Sequence, residues 1–451
     1  MHAPEGSDQL RVRPATPLRG RLSVPGDKSI SHRALILGAL ATGRSRLTGL
    51  LESEDVASTR RALSLLGVRV EGPVPGPGGL ASWLVWGGSG YVREPEDVID
   101  CGNSGTTLRL LTGLLAGQPD MFAVLTGDAT LRGRPQRHLV EPLRALGANL
   151  LGRRGGDRAP LVVSGGAPLK AATTVLPFAS AQVLSALLLG SLQSDGVASV
   201  ELPGPARDHT ERMLVAMGAS LRTSELGGGG RRIEMTGKAR LRSLEIEVPG
   251  DISSAAFLIV AASLVPGSDL EISDIGLNPT RTGFIDVLRR MGADIEIDEE
   301  PSSIEPRGRV RTRASSLRGT RIRKLEVPRL LDEVPILAVA AALADGETVF
   351  TDMPELRGKE SDRLATTAAM LRAFRVEVED LAHGFVVHGT GGRPLRPAWV
   401  ETHGDHRLAM SATVAGLVAA GETRITGAAC IATSFPGFVA TLATLTEGSV
   451  G

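Results

Sequence analysis

A chain of 451 residues exceeds the roughly 250 to 300 over which one hydrophobic core grows, which excludes a single small module and predicts two globular domains. Its 50 Lys and Arg balance its 50 Asp and Glu, and it holds only nine Phe, three Trp and one Tyr. With no net charge to attract polyanions and few rings to stack bases, neither nucleic acid nor a membrane is an expected partner, and any anion site must be local.

The first residues, MHAPEGSDQL, carry neither a basic n-region nor an apolar h-region, so no secretory signal is expected, and the first nine residues read as frayed. LRVRPATPLRGRLSVPG follows, strand-like, with no helix before it. The most apolar stretches, Ala255 to Val265 and Pro335 to Leu343, fall short of the roughly 18 residues of a membrane span. Cys101 and Cys430 lie far apart with no histidine at metal-ligand spacing, so reduced thiols and a cytoplasmic protein are expected.

From Gly26 onward the chain repeats itself about every 75 residues. GDKSISHRALILGALATG starts at Gly26, CGNSGTTLRLLTGLLAG at Cys101, FASAQVLSALLLGSL at Phe178, GDISSAAFLIVAASLVPG at Gly250, LLDEVPILAVAAALADG at Leu330 and GDHRLAMSATVAGLVAAG at Gly404. Each opens on small or polar residues suited to an N-cap, continues as a helix apolar all round, hence buried, and usually ends near a Gly suited to a C-cap. A second, amphipathic helix and a short alternating strand follow in most units, as in FIDVLRRMGADIEI and, without the Gly, TTAAMLRAFRVEVE. The sixth unit ends without such a strand, so the N-terminal strand is expected to complete the last repeats. Three repeats per domain place an inner domain at 26–249 and an outer one at 1–25 plus 250–451, with hinges near Gly26 and Gly250. The Gly- and Pro-rich EGPVPGPGGL and SELGGGGRR read as exposed hairpin loops.

Several helix starts carry polar residues that fit two readings. GDKSISHR puts Lys28 and Ser29 where free N–H groups favour an anion, although it is no P-loop and a capped helix with a solvated Lys explains it equally. GNSGTT, from Gly102, brings backbone close to a ligand or merely turns the chain. Arg134, Arg137 and His138 in GRPQRH form a cation cluster or a solvated loop. Ser180 in SAQ is an N-cap, whereas Gln182 has no such explanation. Asp332 and Glu333 in LLDEVP are either acid–base groups or acids placed on a helix dipole. Lys359, Glu360 and Arg363 in GKESDR fall within about one turn, as an exposed ion-paired face would. His406 and Arg407 follow the GD of GDHR. If the repeats pack about a pseudo-threefold axis, these helix starts gather on one face of each domain, and the two faces oppose across a cleft. Lys28, Arg33, Arg134, Arg207, Lys359, Arg363 and Arg407 then supply cations, with Asp332 and Glu360 as acid and base. Such a site suits two anionic substrates.

In this order, GDKSISHR, GNSGT, GRP, SAQ, RDHTE, LLDE, KESDRL and GDHR closely resemble the 5-enolpyruvylshikimate-3-phosphate synthase family, from about Leu18 to Val439. The resemblance implies an α/β fold: a two-domain inverse α/β barrel of six βαβαββ-like repeats, three per domain, with the active site in the interdomain cleft. It implies transfer of the enolpyruvyl group of phosphoenolpyruvate to the 5-hydroxyl of shikimate 3-phosphate, without metal or organic cofactor, in chorismate synthesis; with no sustained interface pattern in the sequence, a monomer is expected. Lys28, Asn103, Gly105, Arg134, Gln182, Arg363 and Arg407 would then hold phosphoenolpyruvate. Lys28, Ser29, Arg33, Ser180, Ala181 (by backbone), Gln182, Arg207, Asp332 and Lys359 would hold shikimate 3-phosphate. Asp332 and Glu360, assisted by Lys28, would move protons, while His406 would orient a neighbour. Gly105 stands where larger residues obstruct the inhibitor glyphosate, so a sensitive enzyme is expected. Two positions depart from the family: Ala206 replaces a common Ser or Thr, and Thr433 a common Lys.

Three other readings fit less well. The sister transferase acting on UDP-N-acetylglucosamine typically carries Cys or Asp before its Arg-Pro pair, where TGDATLRGRP has no Cys and only an offset Asp128. A catalytically silent phosphometabolite-binding protein would not be expected to keep Lys28, Asp332, Glu360 and Arg407. An RNA-end-processing enzyme on a related fold would need a basic surface.

Overall fold

The computed structural model describes residues 8–166 and 168–451. Contacts divide the chain into two compact units. One is Gly26–Pro249 with Ser303–Glu305, and the other joins the chain up to Pro25 to Gly250–Ser302 and Pro306–Gly451.

The Gly26–Pro249 unit contains three four-stranded sheets of one design, each with a parallel edge strand followed by three antiparallel ones. In its second repeat the order along the chain is strand Ile99–Asp100, helix Gly105–Ala116, strand Phe122–Thr126, helix Arg137–Ala145, then strands Leu150–Gly152 and Arg158–Ser164. This is βαβαββ. The first repeat lacks a leading strand, and Glu245–Glu247, at the unit's far end, fills the place by pairing parallel to Thr42–Thr48. Helices Gly105–Ala116 and Ala181–Gly190 approach closely enough that a Cβ on Gly113 would lie 2.5 Å from Ala186 Cα. Only glycine permits that crossing.

The other unit follows the same plan less completely, with one four-stranded and two three-stranded sheets. Helices Ile252–Leu264, Val334–Leu343 and His406–Leu417 pack on one another, the last two with every residue buried, as their all-round apolar sequence requires. The N-terminal segment forms two strands with different destinations. Arg19–Ser23 is the parallel edge of the fourth repeat's sheet, whereas Gln9–Val12 pairs antiparallel with Thr423–Thr426 in the sixth. Val450 bridges Val12, so the chain end does supply the sixth repeat with an extended piece that sequence reading had not expected. The first seven residues lie outside the described ones. Asp8 and Gln9 are not frayed: Asp8 O accepts from Gly427 N at 3.0 Å, and Gln9 begins a strand.

On the fourth repeat's sheet, acids at Asp269 and Glu271 stand opposite Arg19 and Arg21 on one side and opposite Arg313 and Arg311 on the other. A one-residue slip would set these acids opposite residues such as Gly20, Leu22, Val310 and Thr312, losing the cross-strand ion pairs and turning every side chain to the other face.

Helix ends differ from expectation in one respect. The six buried helices do not close on a left-handed Gly; their C-caps are Ala41, Gly117, Ser191, Val265, Ala344 and Val418, and Gly43, Gly267 and Gly346 take positive φ two residues after three of these. The left-handed turn belongs to the second helices, at Gly67, Gly147, Gly218 and Gly292. In the fifth repeat Arg375 takes it, at φ +63°, and is exposed. Arg375→Gly should therefore stabilise the protein by about 0.5 to 1 kcal/mol, the left-handed strain relieved less the added chain entropy. A higher urea midpoint would show it; a lower one would refute it.

Candidate active site

In the Gly26–Pro249 unit the polar side chains cluster at helix starts. Asp27 caps Lys28–Leu40, its carboxylate accepting from Ile30 N at 2.9 Å. Lys28 is not solvated as a surface lysine would be: its Nζ lies 3.1 Å from Asp55 Oδ2, with the side chain 18% exposed. Arg33 is buried, and its guanidinium donates to Thr210 Oγ1 at 2.8 Å, Ser185 Oγ at 2.9 Å and Ser29 O at 3.0 Å. Those bonds tie RDHTE and the SAQ helix to the GDKSISHR helix. Ser180 is the N-cap of Ala181–Gly190, and Arg207 is half-buried in the segment leading to His209–Ala216.

A second group surrounds Gly105. Arg134 Nη2 donates to Asn103 Oδ1 at 2.7 Å, and Asn103 Nδ2 donates to Asp128 Oδ2 at 2.7 Å. Arg109, which sequence reading passed over, donates to Gln182 Oε1 at 2.6 Å and to Gln136 Oε1 at 3.0 Å, while Gln182 Nε2 reaches Thr106 Oγ1. Its one signal was a lone charge in an otherwise apolar helix, four residues after Gly105. A Cβ on Gly105 would meet Arg109 Nη1 at 2.9 Å and Arg134 Nη1 at 3.3 Å, so this glycine keeps space between two guanidiniums. Arg134 is buried, which removes the solvated-loop reading for it, whereas Arg137 is exposed. Asp128 caps a short helix, accepting from Leu131 N at 2.7 Å.

Beneath both groups, hydrogen bonds of 2.7 Å link His32 Nδ1, Thr59 Oγ1, Thr107 Oγ1 and Ser104 Oγ, coupling the GDKSISHR helix to the N-cap of the GNSGT helix. Burial pushes His32 down to about 3, so the chain starts from a neutral ring.

In the other unit, Asp332, Lys359, Glu360, Arg363 and Arg407 form one charged cluster. Asp332 lies in a 3₁₀ turn, Leu331–Glu333, just before Val334–Leu343, a helix that starts without a side-chain cap. Its Oδ1 accepts from Lys359 Nζ and Arg363 Nη1, each at 3.2 Å. Arg363 Nη2 donates to Glu360 Oε2 at 2.7 Å, and Nε to Asp405 Oδ2 at 2.8 Å. At 2% exposure Arg363 belongs to no exposed ion-paired face, and Lys359 and Glu360 precede the helix that Arg363 begins. Burial works against its charge, but Asp405, Glu360 and Asp332 more than compensate and raise its pKa. Burial alone would raise the Asp405 carboxyl; Arg363 overrides it and holds that group below its usual range. Arg407 Nη1 donates to Asp332 O at 3.2 Å. Asp405 was visible in sequence only as a helix cap, which it also is, through Arg407 N at 3.0 Å.

The two family departures have local partners. Ala206 O accepts from Arg231 Nη2 at 3.0 Å, and Thr433 Oγ1 donates to Cys430 O at 2.8 Å. Cys101 and Cys430 are free thiols.

A sequence model of EPSP synthase (3-phosphoshikimate 1-carboxyvinyltransferase) matches residues 12–442. The chain belongs to this family. It is 50% identical over 431 residues to the 3-phosphoshikimate 1-carboxyvinyltransferase of Pelotomaculum thermopropionicum, covering 95% of this chain and 97% of that one. The corresponding protein of Roseiflexus castenholzii is 51% identical over 426 residues, covering 93% and 96%. The structure of EPSP synthase from Acinetobacter baumannii superposes with a TM-score of 0.85 at 38% identity over 99% of both chains. The enolpyruvyl transferase NikO from Streptomyces tendae shares the fold, with a TM-score of 0.75 at 18% identity over 98% of both. The fold is thus the inverse α/β barrel type of the enolpyruvyl transferases.

Glu211, in RDHTE, takes no part in these clusters. It is buried, neither carboxylate oxygen has a hydrogen-bond partner among the described residues, and Arg231 Nη2 is 3.8 Å away. Burial pushes its carboxyl from 4.5 up to about 7. The folded state therefore keeps a proton that the unfolded state loses above 4.5. This contribution is complete below that pH and is lost, at about 1.4 kcal/mol per pH unit, as pH rises toward 7. Glu211→Gln should remove that slope, so its urea midpoint should gain on the parent's between pH 4.5 and 7; parallel profiles would refute the assignment.

Proposed function

We propose that this protein transfers the 1-carboxyvinyl group of phosphoenolpyruvate to the 5-hydroxyl of shikimate 3-phosphate, releasing phosphate. The observation that carries this reading is the meeting of Asp332, Lys359, Glu360, Arg363 and Arg407 in one cluster within a chain of this family. Lys28, Asn103, Gly105, Arg134, Gln182, Arg363 and Arg407 are the phosphoenolpyruvate set. Lys28, Ser29, Arg33, Ser180, Ala181, Gln182, Arg207, Asp332 and Lys359 are the shikimate 3-phosphate set. Arginine forks suit phosphate and carboxylate alike, and Lys28 adds a point charge.

The chemistry consists of proton transfers around one addition and one elimination. The 5-hydroxyl loses its proton as its oxygen bonds to C2 of phosphoenolpyruvate, and C3 gains a proton to become a methyl group. That tetrahedral adduct then loses a proton from C3, the double bond re-forms, and the C2–O bond to phosphate breaks. Asp332 and Glu360 are the acid and base, each beside cations that stabilise its charged form, with Lys28 assisting. His406, buried at the head of its helix, orients the neighbouring Asp405 and Arg407. The protein works as a monomer in the cytoplasm.

Phosphate release with phosphoenolpyruvate plus shikimate 3-phosphate, run beside the same assay with UDP-N-acetylglucosamine, tests the reading. Release with the first acceptor alone supports it. Release with the second alone would make this the sister transferase, and release with neither, from folded protein, would leave a binding protein.

Glyphosate is proposed to occupy the space that Gly105 keeps between Arg109 and Arg134. Gly105→Ala should raise the inhibitory concentration at least tenfold, because its methyl group intrudes where two guanidiniums already stand within 3.3 Å. Unchanged inhibition would refute the steric argument.

A further inference from the structure

The fourth repeat opens with the same GD as the first and sixth, yet the proposed reaction gives its GDISS segment no task. Its side chains form a buried line of alternating charge. Arg281, 2% exposed, donates through Nη2 to Asp251 Oδ1 at 3.0 Å and to Ser253 Oγ at 2.7 Å. Asp251 caps Ile252–Leu264, accepting from Ser253 N at 2.9 Å. Ser253 Oγ in turn donates to Glu333 Oε1. Glu333, 1% exposed, sets the same oxygen 3.5 Å from Arg407 Nη1. The fourth repeat thus reaches the sixth through one acid of the fifth.

Arg407 is held along one side only. Nη1 has Asp332 O and Glu333 Oε1, whereas Nε and Nη2 donate to no group among the described residues, the nearest acid being Asp332 Oδ2 at 4.0 Å from Nη2. Glu333 Oε2 likewise has no hydrogen-bond partner among them. A buried acid with one oxygen unsatisfied lowers stability, so its place next to this guanidinium calls for a reason beyond packing.

We propose that Glu333 is a positioning residue that acts through Arg407, and that Ser253 and Arg281 fix Glu333. The brace on Nη1 leaves the Nε–Nη2 edge pre-oriented for a bidentate anion, so less order has to be imposed when the anion arrives. The inference rests on the reading that Arg407 binds phosphoenolpyruvate.

Steady-state kinetics of Glu333→Gln, Ser253→Ala, Arg407→Lys and the Glu333→Gln/Arg407→Lys double variant test it. Gln keeps the volume and an oxygen for Ser253 but loses the charge. Glu333→Gln is expected to raise the KM for phosphoenolpyruvate five- to tenfold, with kcat and the KM for shikimate 3-phosphate within twofold. Ser253→Ala should move the same KM two- to threefold. In the Arg407→Lys background, Glu333→Gln should add less than twofold, because the group it positions is gone. A phosphoenolpyruvate KM that stays level or falls in Glu333→Gln overturns the proposal; a fall would mean that Glu333 only dilutes positive charge. So does a full further rise in the double variant. If Arg407→Lys itself leaves that KM unchanged, the role of Arg407 fails first and the brace with it. Should Glu333→Gln not fold, Ser253→Ala with and without Arg407→Lys decides by the same criteria.

Discussion

Asp332→Asn is expected to lower kcat about a thousandfold, within the range that one acid–base group contributes, while leaving the KM for phosphoenolpyruvate within threefold. Lys359 and Arg363 both donate to Oδ1, and Arg407 is held by the backbone oxygen of the same residue. An amide supplies an oxygen of the same reach, so these three cations keep their places. What disappears is the ability to accept and return a proton. The melting temperature should barely change, which separates lost chemistry from lost structure. A fall in kcat of less than tenfold would remove Asp332 from the acid–base role and leave Glu360 to perform both transfers.

The second large effect is on stability. Asp405→Asn keeps a capping side chain for His406–Leu417 but removes the charge that meets Arg363 Nε at 2.8 Å. Arg363 is buried, so the lost partner cannot be replaced by water, and breaking such a pair from one side typically costs about 3 to 5 kcal/mol. Asp332 and Glu360 still face the guanidinium, which places the expected loss near the lower end, about 3 kcal/mol. Urea unfolding followed by circular dichroism reads it directly. An unchanged midpoint would show that the other two acids suffice and that Asp405 serves only as a cap.

Much of this architecture was legible because it repeats. Six helices apolar all round can only be buried, and the second helix of most units shows its single apolar face at the spacing of a helix packed on one side. The missing strand of the sixth unit already pointed to the N-terminal segment, and Gln9–Val12 does pair with Thr423–Thr426. What local pattern did not show is that this one strand-like segment divides, with Arg19–Ser23 joining the fourth repeat's sheet some 250 positions away. Arg375 was visible as a missing glycine, but that the chain would still make the left-handed turn there was not.

The candidate site divides along the same line. Asp332 and Arg407 were marked as charges at the heads of apolar helices, and Lys359, Glu360 and Arg363 by their spacing within about one turn, and the five do meet. Arg109, Asp55 and Asp405 were not singled out in sequence, since a helix charge, a first-turn acid and a cap are ordinary features, and Glu333 shared the two readings of Asp332. Only the spacing in three dimensions shows that Arg109 grips Gln182 and that Asp405 meets Arg363 with both carboxylate oxygens.

The proposed transfer breaks the C2–O bond of phosphoenolpyruvate and not O–P. Phosphoenolpyruvate labelled with ¹⁸O at the bridging position, turned over with shikimate 3-phosphate, distinguishes the two. The label should leave entirely in inorganic phosphate, whose ³¹P resonance shifts accordingly, while the acceptor gains an unlabelled enol ether. Label retained in pyruvate, with phosphate carrying none, would mean attack at phosphorus and would contradict that transfer.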